Sequence, residues 1–335
     1  MSSTRDVLAT TAILLSSKYV DATYQTKPLL EAIGGKKATK MVGGRTIQVP
    51  VALSDHSSTV YHTSGYEPTA RATGSIFQDA TWEMGLSSEI VTLTKKDELE
   101  NSGTEAKVNL LKARLEVQIQ SFMSEQEANF LKYNADSYAT YNTLDGVTAA
   151  STRGFMEEVV VASQSNTVGG IDKALYDERW TNGLGNASGA FATNGMKVLR
   201  AMHLRVKTFS KGSPGDRVLL LSDLCNALYM EENASLQRFV GKDALDNNQL
   251  DLLSSDGYKV RNSPTLGFVV GANTVSGYMF DSKSLGLYMD PRAAFTAQPE
   301  IAASEQLLMK IPILFRAQLF TSDMKALALL INGDA

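Results

Sequence analysis

The chain holds few residues that can do metal or thiol chemistry. Its histidines are His56, His62 and His203, and no two of them stand three or four residues apart, as a helical metal-binding pair requires. Cys225 is the single cysteine, so the chain can form neither an internal disulfide nor a site of several thiolates. We predict that Cys225 is a small buried apolar residue on a short helix. No metal and no cofactor is expected.

Signatures of nucleophilic catalysis and of phosphate binding are also missing from the sequence. The stretch GNASG around Ser188 lacks the Gly-x-Ser-x-Gly spacing of a nucleophile elbow. VGGRT at 42–46 and VGGID at 168–172 predict turns, because neither continues into a phosphate-binding glycine loop. The acidic pairs at 177–178 and 231–232 are typical of exposed helix surfaces and ends. The sequence therefore names no catalytic residue and disfavours an enzyme.

The composition is that of an ordinary soluble protein. Of 335 residues, 43% are hydrophobic and 20% are charged, which allows a large core. Lys and Arg number 32 and Asp and Glu 36, and the resulting net charge of -4 is too small to indicate a nucleic-acid binder. The apolar run from Val7 to Leu15 lacks the basic start and the length of a signal peptide. We expect a soluble protein suited to a reducing cytoplasm.

Residues 45 to about 92 are predicted to be extended. Ile47, Val49, Val51 and Leu53 alternate with other residues in the first part. The returning stretch GSIFQDATWEMGLSSEIVTLT is rich in β-branched and aromatic residues. Because a long two-stranded excursion is marginal alone in water, we expect it to lie on another surface.

A long helix is the clearest element in the sequence. Ser102 and Glu105 have the spacing of a capping box at a helix start. No Gly or Pro interrupts residues 104–133, so we predict a helix of about 30 residues and about 45 Å, longer than most globular helices. Its apolar residues recur at spacings of three and four and form one stripe: Val108, Leu111, Leu115, Ile119 and Phe122.

The remaining chain predicts an α/β unit after a loop-rich stretch. Residues 134–190 are expected to hold a short strand at EEVVVAS, and a turn with a short helix in TVGGIDKALYDERW. The buried strand RVLLLS and a helix capped by Ser222 or Asp223 follow. Several short strands come next, and the chain closes with two strands about a Thr-Ser-Asp turn. Before RVLLLS, a helical apolar stripe is formed by Met196, Leu199, Met202, Val206 and Phe209.

In this order of elements the chain resembles the major capsid proteins of tailed bacteriophages, which have the Hong Kong 97-type fold. The stretches that carry the resemblance are GGRTIQVPVAL, YHTSGYEP, LENSGTEAKVNLLKARLE, TVGGIDKALY and RVLLLSDLCNALYMEENASLQRF. The resemblance spans nearly the whole chain. It implies an α+β fold with an N-arm, an extended β-hairpin loop (E-loop), a long spine helix in a peripheral domain, and an α/β axial domain.

The resemblance also implies where these parts begin and end. The N-arm would cover 1–44 and the extended loop 45–92. The peripheral domain would cover 93–192, with the spine helix at about 104–133. The axial domain would cover 193–287, and residues 288–335 would be return strands of the peripheral domain.

Five residues are candidates for inter-subunit contacts under this resemblance. Arg45 and Glu67 flank the excursion and are predicted to anchor it on a neighbouring subunit, the alternative being that each is simply solvated. Tyr66 precedes Glu67 in the same stretch. Lys36 and Lys37 belong to a basic cluster that is either a solvated loop or a contact with a polyanion or an acidic neighbouring subunit.

The function implied is self-assembly through pentamers and hexamers into an icosahedral head that encloses double-stranded DNA. The implied partners are further copies of the chain, a separate scaffolding protein, a portal and a decoration protein, with only weak non-specific contact to DNA and none to a membrane. The location implied is the virion capsid, assembled in the host bacterial cytoplasm.

Three other functions stay open at this stage. An encapsulin-like compartment shares the fold and encloses enzymes. An α/β enzyme with an unrecognised site would pack residues 45–92 on their own domain. A structural role in the phage tail is disfavoured, because a tube protein seldom needs so long a spine helix.

Overall fold

The structure is a computed structural model whose described part forms helices around two mixed β-sheets. No helix in this part is long and apolar enough to cross a membrane. The described residues are 26–34, 38–40, 42–54, 76–100, 110–131, 167–172, 175–176, 179–187, 191–237, 258–270, 273–299, 301–302 and 308–334.

Within these ranges the helices are α1 Pro28–Ile33, α2 Lys95–Glu100, α3 Leu110–Leu131, α4 Phe191–Phe209 and α5 Asp223–Gln237. Single 3-10 turns cover Pro214–Asp216 and Met324–Ala326. The strands in chain order are β1 Thr39–Lys40, β2 Thr46–Ala52, β3 Phe77–Glu83, β4 Gly85–Thr94, β5 Thr167–Val168, β6 Ile171–Asp172, β7 Gly183–Asn186, β8 Arg217–Leu221, β9 Lys259–Asn262, β10 Phe268–Val270, β11 Asn273–Asp281, β12 Leu285–Ala297, β13 Ile301–Ala302, β14 Leu308–Thr321 and β15 Leu327–Ile331.

Strand β14 is the centre of a five-stranded sheet. Along one edge it pairs antiparallel with β4, from Leu308 opposite Thr94 to Ala317 opposite Gly85. Along its other edge it pairs with β12 and with the short β13, and β1 adds in parallel beside β12. The extended region was predicted to run to residue 92, but β4 belongs to this sheet over its whole length. The two-stranded part is therefore the β2–β3 hairpin, which we call the stem.

The inner face of the five-stranded sheet packs on α3. Ile313, Phe315 and Leu319 alternate along β14 and are fully buried, as the pleat of a half-covered strand requires. Phe122 and Phe130 of α3 meet Phe315 edge-on, each with 6.4 Å between ring centroids. The apolar stripe of the helix and the alternation of β14 thus form one core.

A bulge in β12 adds a further ring to this aromatic cluster. The pairing of β12 with β14 shifts register between Met289 and Ala294 and again before Thr296. Phe295 lies in the second shift with φ 53, a left-handed conformation that bulky residues seldom adopt. Its ring stacks on Phe315 at 4.1 Å between centroids and meets Phe122 edge-on at 5.4 Å. The bulge therefore directs this side chain toward the helix.

The second sheet has six strands, of which β8 and β15 are buried on both faces. Its order is β7-β15-β11-β8-β9, with β10 paired to β11 as a hairpin. Alternate residues of β8 enter different cores, Val218 and Leu220 on the side of α3 and Leu219 and Leu221 on the side of α4 and α5. Burial on both sides explains why the sequence of β8 is apolar throughout rather than alternating.

Several sequence predictions are confirmed by these elements. The predicted helix at 104–133 is present as α3, while 104–109 and 132–133, with Ser102 and Glu105, lie outside the described residues. The strand RVLLLS is β8, all of it buried. Of the two capping candidates for α5, Ser222 is the cap, since its Oγ accepts the N–H of Cys225 at 3.1 Å.

Other elements differ from the predictions. Helix α2 was not predicted, although Thr94 and Asp97 have capping spacing and Thr94 Oγ1 accepts the N–H of Asp97 at 3.1 Å. The turn predicted at VGGID is present, but it joins two short strands into a hairpin over 167–172 through Gly169 and Gly170, both with positive φ. Strand β15 was expected among the return strands of the peripheral domain, but it pairs with β11 and β7 in the six-stranded sheet. The proposed domain boundaries otherwise stay predictions.

Replacing Phe315 with Ala should destabilise the chain by about 3–5 kcal/mol, because the ring is fully buried among three others. Phe77→Ala is the matched control, since Phe77 is 67% exposed and its loss should cost less than about 1 kcal/mol. Urea unfolding of the unassembled chain measures both free energies. Equal losses for the two variants would contradict the central place given to Phe315.

Candidate assembly surfaces

The stem is an antiparallel hairpin with one apolar and one polar face. Ile47 lies opposite Trp82 and Val49 opposite Ala80, so these four side chains share a face. The opposite face carries mostly polar residues and the exposed Phe77. Such one-sided alternation requires a partner surface for the apolar face.

That partner surface belongs to the same chain. Trp82 and Ala80 are buried, and a Cβ placed on Gly169 would come within 2.9 Å of the Trp82 ring and 3.1 Å of the Ala80 methyl group. The N–H of Thr81 donates to the carbonyl of Gly169 at 2.8 Å. The Trp82 ring also meets Phe320 of β14 edge-on at 6.4 Å. The turn at Gly169 thus fits against the stem with no room for a side chain.

These contacts correct one sequence interpretation. We expected the extended segment to rest on another subunit because it has too little apolar area to fold alone. The described stem instead rests on its own chain, through the hairpin 167–172 and β14. A contact with a neighbouring subunit stays a prediction for the exposed face of the stem and for 55–75, which lie outside the described residues.

The start of the stem is held by a charge cluster around one buried carboxylate. The side chain of Asp290 is 3% exposed and accepts hydrogen bonds from Arg292 at 2.9 Å and from Arg316 at 3.2 Å. Arg292 and then Arg316 hold the pKa of Asp290 well below its usual range. The second amino group of Arg316 donates to the carbonyl of Gly44. Arg316 therefore links the glycine turn before the stem to the five-stranded sheet.

The outer face of the five-stranded sheet carries exposed apolar residues among polar ones such as Ser88 and Thr92. Leu86 and Ile90 of β4 are 61% and 52% exposed, and the cross-strand partner of Ile90 is Pro312. Leu314 lies on the same face, and Ile301 of β13, opposite Lys310, is 57% exposed. We call this set, Leu86, Ile90, Ile301, Pro312 and Leu314, the outer apolar face. Pro312 and Leu314 are only partly exposed, and apolar side chains grouped in this way on one sheet face are typical of protein–protein contact surfaces.

Of the residues predicted to make inter-subunit contacts, only Arg45 lies within the described part. Its side chain is 85% exposed, and its Nη2 lies 3.4 Å from Oε1 of Glu83, which pairs with Thr46 at the same end of the stem. An exposed pair of this kind contributes little to stability. Lys36, Lys37, Tyr66 and Glu67 lie outside the described residues. The contact roles of all five stay predictions.

The candidate chemical residues are placed as follows. His56 and His62 lie outside the described residues, and His203 is buried in α4 beside the Tyr258 ring. Cys225 is fully buried, and burial raises the pKa of its thiol to about 12, so it stays protonated at neutral pH. In the described ranges no group of three or more His, Cys, Asp or Glu side chains is placed to hold a metal ion.

Sequence reasoning missed Asp290, Arg316 and a third residue, Glu127 of α3. The Glu127 carboxylate accepts the N–H groups of Leu29 and Leu30, far away in the sequence. Nothing local in the sequence distinguishes Glu127 from its exposed neighbour Glu125. Only the fold brings these groups to their partners.

Comparison with known proteins bears on the architecture as a whole. The sequence matches no family model and no curated protein. Among solved structures, a chain of the cyanophage A-1(L) capsid shares 15% identity, with a TM-score of 0.64 over 95% of each chain. A chain of the native GTA particle capsid shares 13% identity, with a TM-score of 0.59 over 94% of this chain and 93% of that one.

The chain has the Hong Kong 97-type capsid fold. This confirms the α+β capsid fold predicted from the sequence. A chain of the holo-SrpI encapsulin complex from Synechococcus elongatus PCC 7942 has the same capsid fold, with 12% identity and a TM-score of 0.55 over 96% of this chain and 94% of that one. These three relatives in fold are chains of two capsids and of an encapsulin complex.

Three glycine substitutions separate the contact at Gly169 from backbone strain. Gly169→Ala should cost more than about 2 kcal/mol, because φ is +60 and the new methyl group meets Trp82. Gly43→Ala, with φ +79 and no atom within 4 Å, should cost about 1 kcal/mol. Gly215→Ala has neither feature and should change stability by less than about 0.5 kcal/mol. Urea unfolding checks this order, and equal effects at Gly169 and Gly43 would refute the proposed contact.

Proposed function

We propose that the chain is the major capsid protein of a tailed phage. Its copies assemble through pentamers and hexamers into an icosahedral shell around double-stranded DNA. The observation that carries this proposal is the full-length correspondence with phage and phage-like shell proteins, which extends over at least 93% of both chains in the two capsid comparisons described above.

The exposed surfaces support the same function physically. A closed shell built from one kind of chain needs heterologous contacts, in which two different patches of the same protein meet. The outer apolar face supplies one patch that a neighbouring copy would cover. Contacts of modest area add together when each copy touches several neighbours, and weak single contacts let a misplaced copy dissociate.

The contact candidates fit this function as proposals. Tyr66 and Glu67 would belong to the tip of the extended loop, beyond the stem, and would reach a neighbouring copy. Lys36 and Lys37 would contact an acidic neighbour, and exposed Arg45 would help to orient the loop. The N-arm at 1–44, the extended loop beginning at 45 and the axial domain within 193–287 remain our proposed divisions.

The proposed partners are further copies of this chain, a separate scaffolding protein, a portal and a decoration protein. Contact with packaged DNA would be weak and non-specific, which suits a net charge of -4. The chain would assemble in the host bacterial cytoplasm, reside in the virion capsid and have no enzymatic activity.

A second candidate function is that of an encapsulin-like compartment. The likeness to the holo-SrpI encapsulin complex favours it, since the TM-score of 0.55 is close to that of the GTA capsid chain. The two functions differ in what the particle encloses, protein cargo in one case and DNA in the other.

Expression of the chain, alone and with a candidate scaffolding protein, tests the proposed function. Sedimentation and electron microscopy should show closed particles or ring-shaped capsomers. DNA inside particles from infected cells would support the phage capsid, and a protein cargo would support the compartment. A stable species of 36.3 kDa under every condition would overturn both.

Replacing Ile90 with Asp should reduce the yield of particles at least tenfold at matched concentration, because a charge would have to be desolvated in each covered outer apolar face. The folding free energy should change by less than about 1 kcal/mol, since the side chain is 52% exposed. Ile90→Leu is the control that keeps the apolar area and should assemble normally. Normal particle yield from Ile90→Asp would remove the outer apolar face from the assembly contacts.

A further inference from the structure

Glu127 is a buried carboxylate that joins α3 to the start of α1. Its residue exposure is 1%, and its two oxygens accept the N–H groups of Leu29 at 2.7 Å and Leu30 at 2.8 Å. N–H groups in the first turn of a helix have no partner inside that helix. A side chain almost 100 residues away in the sequence thus provides the cap that α1 lacks locally, since Lys27 at its N-cap makes no side-chain cap.

Helix α1 depends on such contacts because it has only six residues. A helix this short is not stable in water on its own. Leu29, Ala32 and Ile33 are buried, and Glu31 forms an ion pair of 2.7 Å with Arg261 of β9. If α1 lost these contacts and its contact with α3, it would therefore unfold and expose Glu127 at the same time.

The charged groups that act on Glu127 are Lys27 and Glu31. Burial raises the pKa of Glu127 most strongly, and the negative charge of Glu31 raises it further. The N–H groups of Leu30 and Leu29 and the charge of Lys27 lower it, and the resulting pKa is about 7. Lys27 itself donates to Gln120 of α3 at 3.0 Å. Glu127 therefore changes its charge near neutral pH while α1 is seated.

We propose that Glu127 is a proton-dependent clasp that holds α1 on α3 more firmly in its protonated form and loosens as the pH rises. Protonation leaves one oxygen to accept from the backbone and removes a charge that burial penalises. Because α1 continues the segment proposed as the N-arm, the clasp would regulate how that arm leaves the subunit. This role in assembly rests on the proposed function, whereas the clasp itself does not.

The sign of the pH dependence follows from proton linkage. In the released state Glu127 would titrate near the ordinary value of 4.5, and in the seated state near 7. Seating therefore takes up a proton, and its contribution is fully present below about pH 4.5 and lost as the pH rises through about 7. The equilibrium constant for seating should fall roughly 50- to 100-fold between pH 5 and pH 8.

Hydrogen exchange of the full chain tests the clasp. Protection of the amides in a peptide over 28–34, corrected for intrinsic exchange, should fall by at least tenfold from pH 5 to pH 8. Glu127→Gln keeps the shape of the side chain without a titrating group, so its protection should not vary with pH. Glu125→Gln, which removes an exposed charge two residues earlier on α3, should keep the wild-type dependence.

Two results would overturn the proposal. One is wild-type protection that stays constant with pH, which would indicate a structural cap only. The other is a pH dependence that survives in Glu127→Gln. Particle formation by the same samples is scored separately, so pH-dependent protection in a chain that never assembles would retain the clasp and reject the proposed function.

Discussion

The inner face of β14 is the constraint on which the other parts depend. Phe315 and its alternate neighbours can be buried against α3 in only one register, because a slip of one residue would turn every one of them outward. The same register places Leu314 and Arg316 on the outer side of the sheet. Arg316 is thereby positioned to bind the carbonyl of Gly44, and Leu314 to extend the outer apolar face. The contact of Arg316 with the start of the stem and the position of the outer apolar face thus both depend on which residues of β14 face α3.

The stem and the outer apolar face differ in whether the chain itself covers their apolar side chains. One face of the hairpin is buried by Gly169 and Phe320 of the same chain, so its direction is set before any partner arrives. Among the described residues, none covers Leu86 or Ile90 of the outer apolar face to this extent, since both stay more than half exposed. A subunit whose stem is already packed on its own chain and whose sheet face carries exposed apolar residues suits a protein that adds to an existing lattice, because little order has to be created on binding.

Periodic signals in the sequence predicted α3, α4 and β8, because each depends only on residues a few positions apart. The cap at Thr94 and Asp97 had an equally local signal, which was overlooked. The placement of β4 beside β14 and of Glu127 beside Leu29 had no local signal. Those contacts join distant parts of the chain, and alternation or charge in one segment does not reveal which partner a strand or a carboxylate will meet. The capsid fold was recognised from the order of elements along the chain. That order can be inferred from the sequence even where the pairing partner of each strand cannot.

Strands β14 and β15 follow each other directly but complete different sheets. β14 lies between β4 and β12, and β15 lies between β7 and β11, with only residues 322–326 between the two strands. During synthesis, therefore, the five-stranded sheet cannot close until the ribosome has delivered β14, and the six-stranded sheet cannot close until β15 follows, although most of their partners have emerged long before. Pairing across such sequence distances is slow. The outer apolar face, two of whose five residues lie on β14, would consequently form only after β14 has left the ribosome, which keeps nascent chains from meeting one another through it before that point.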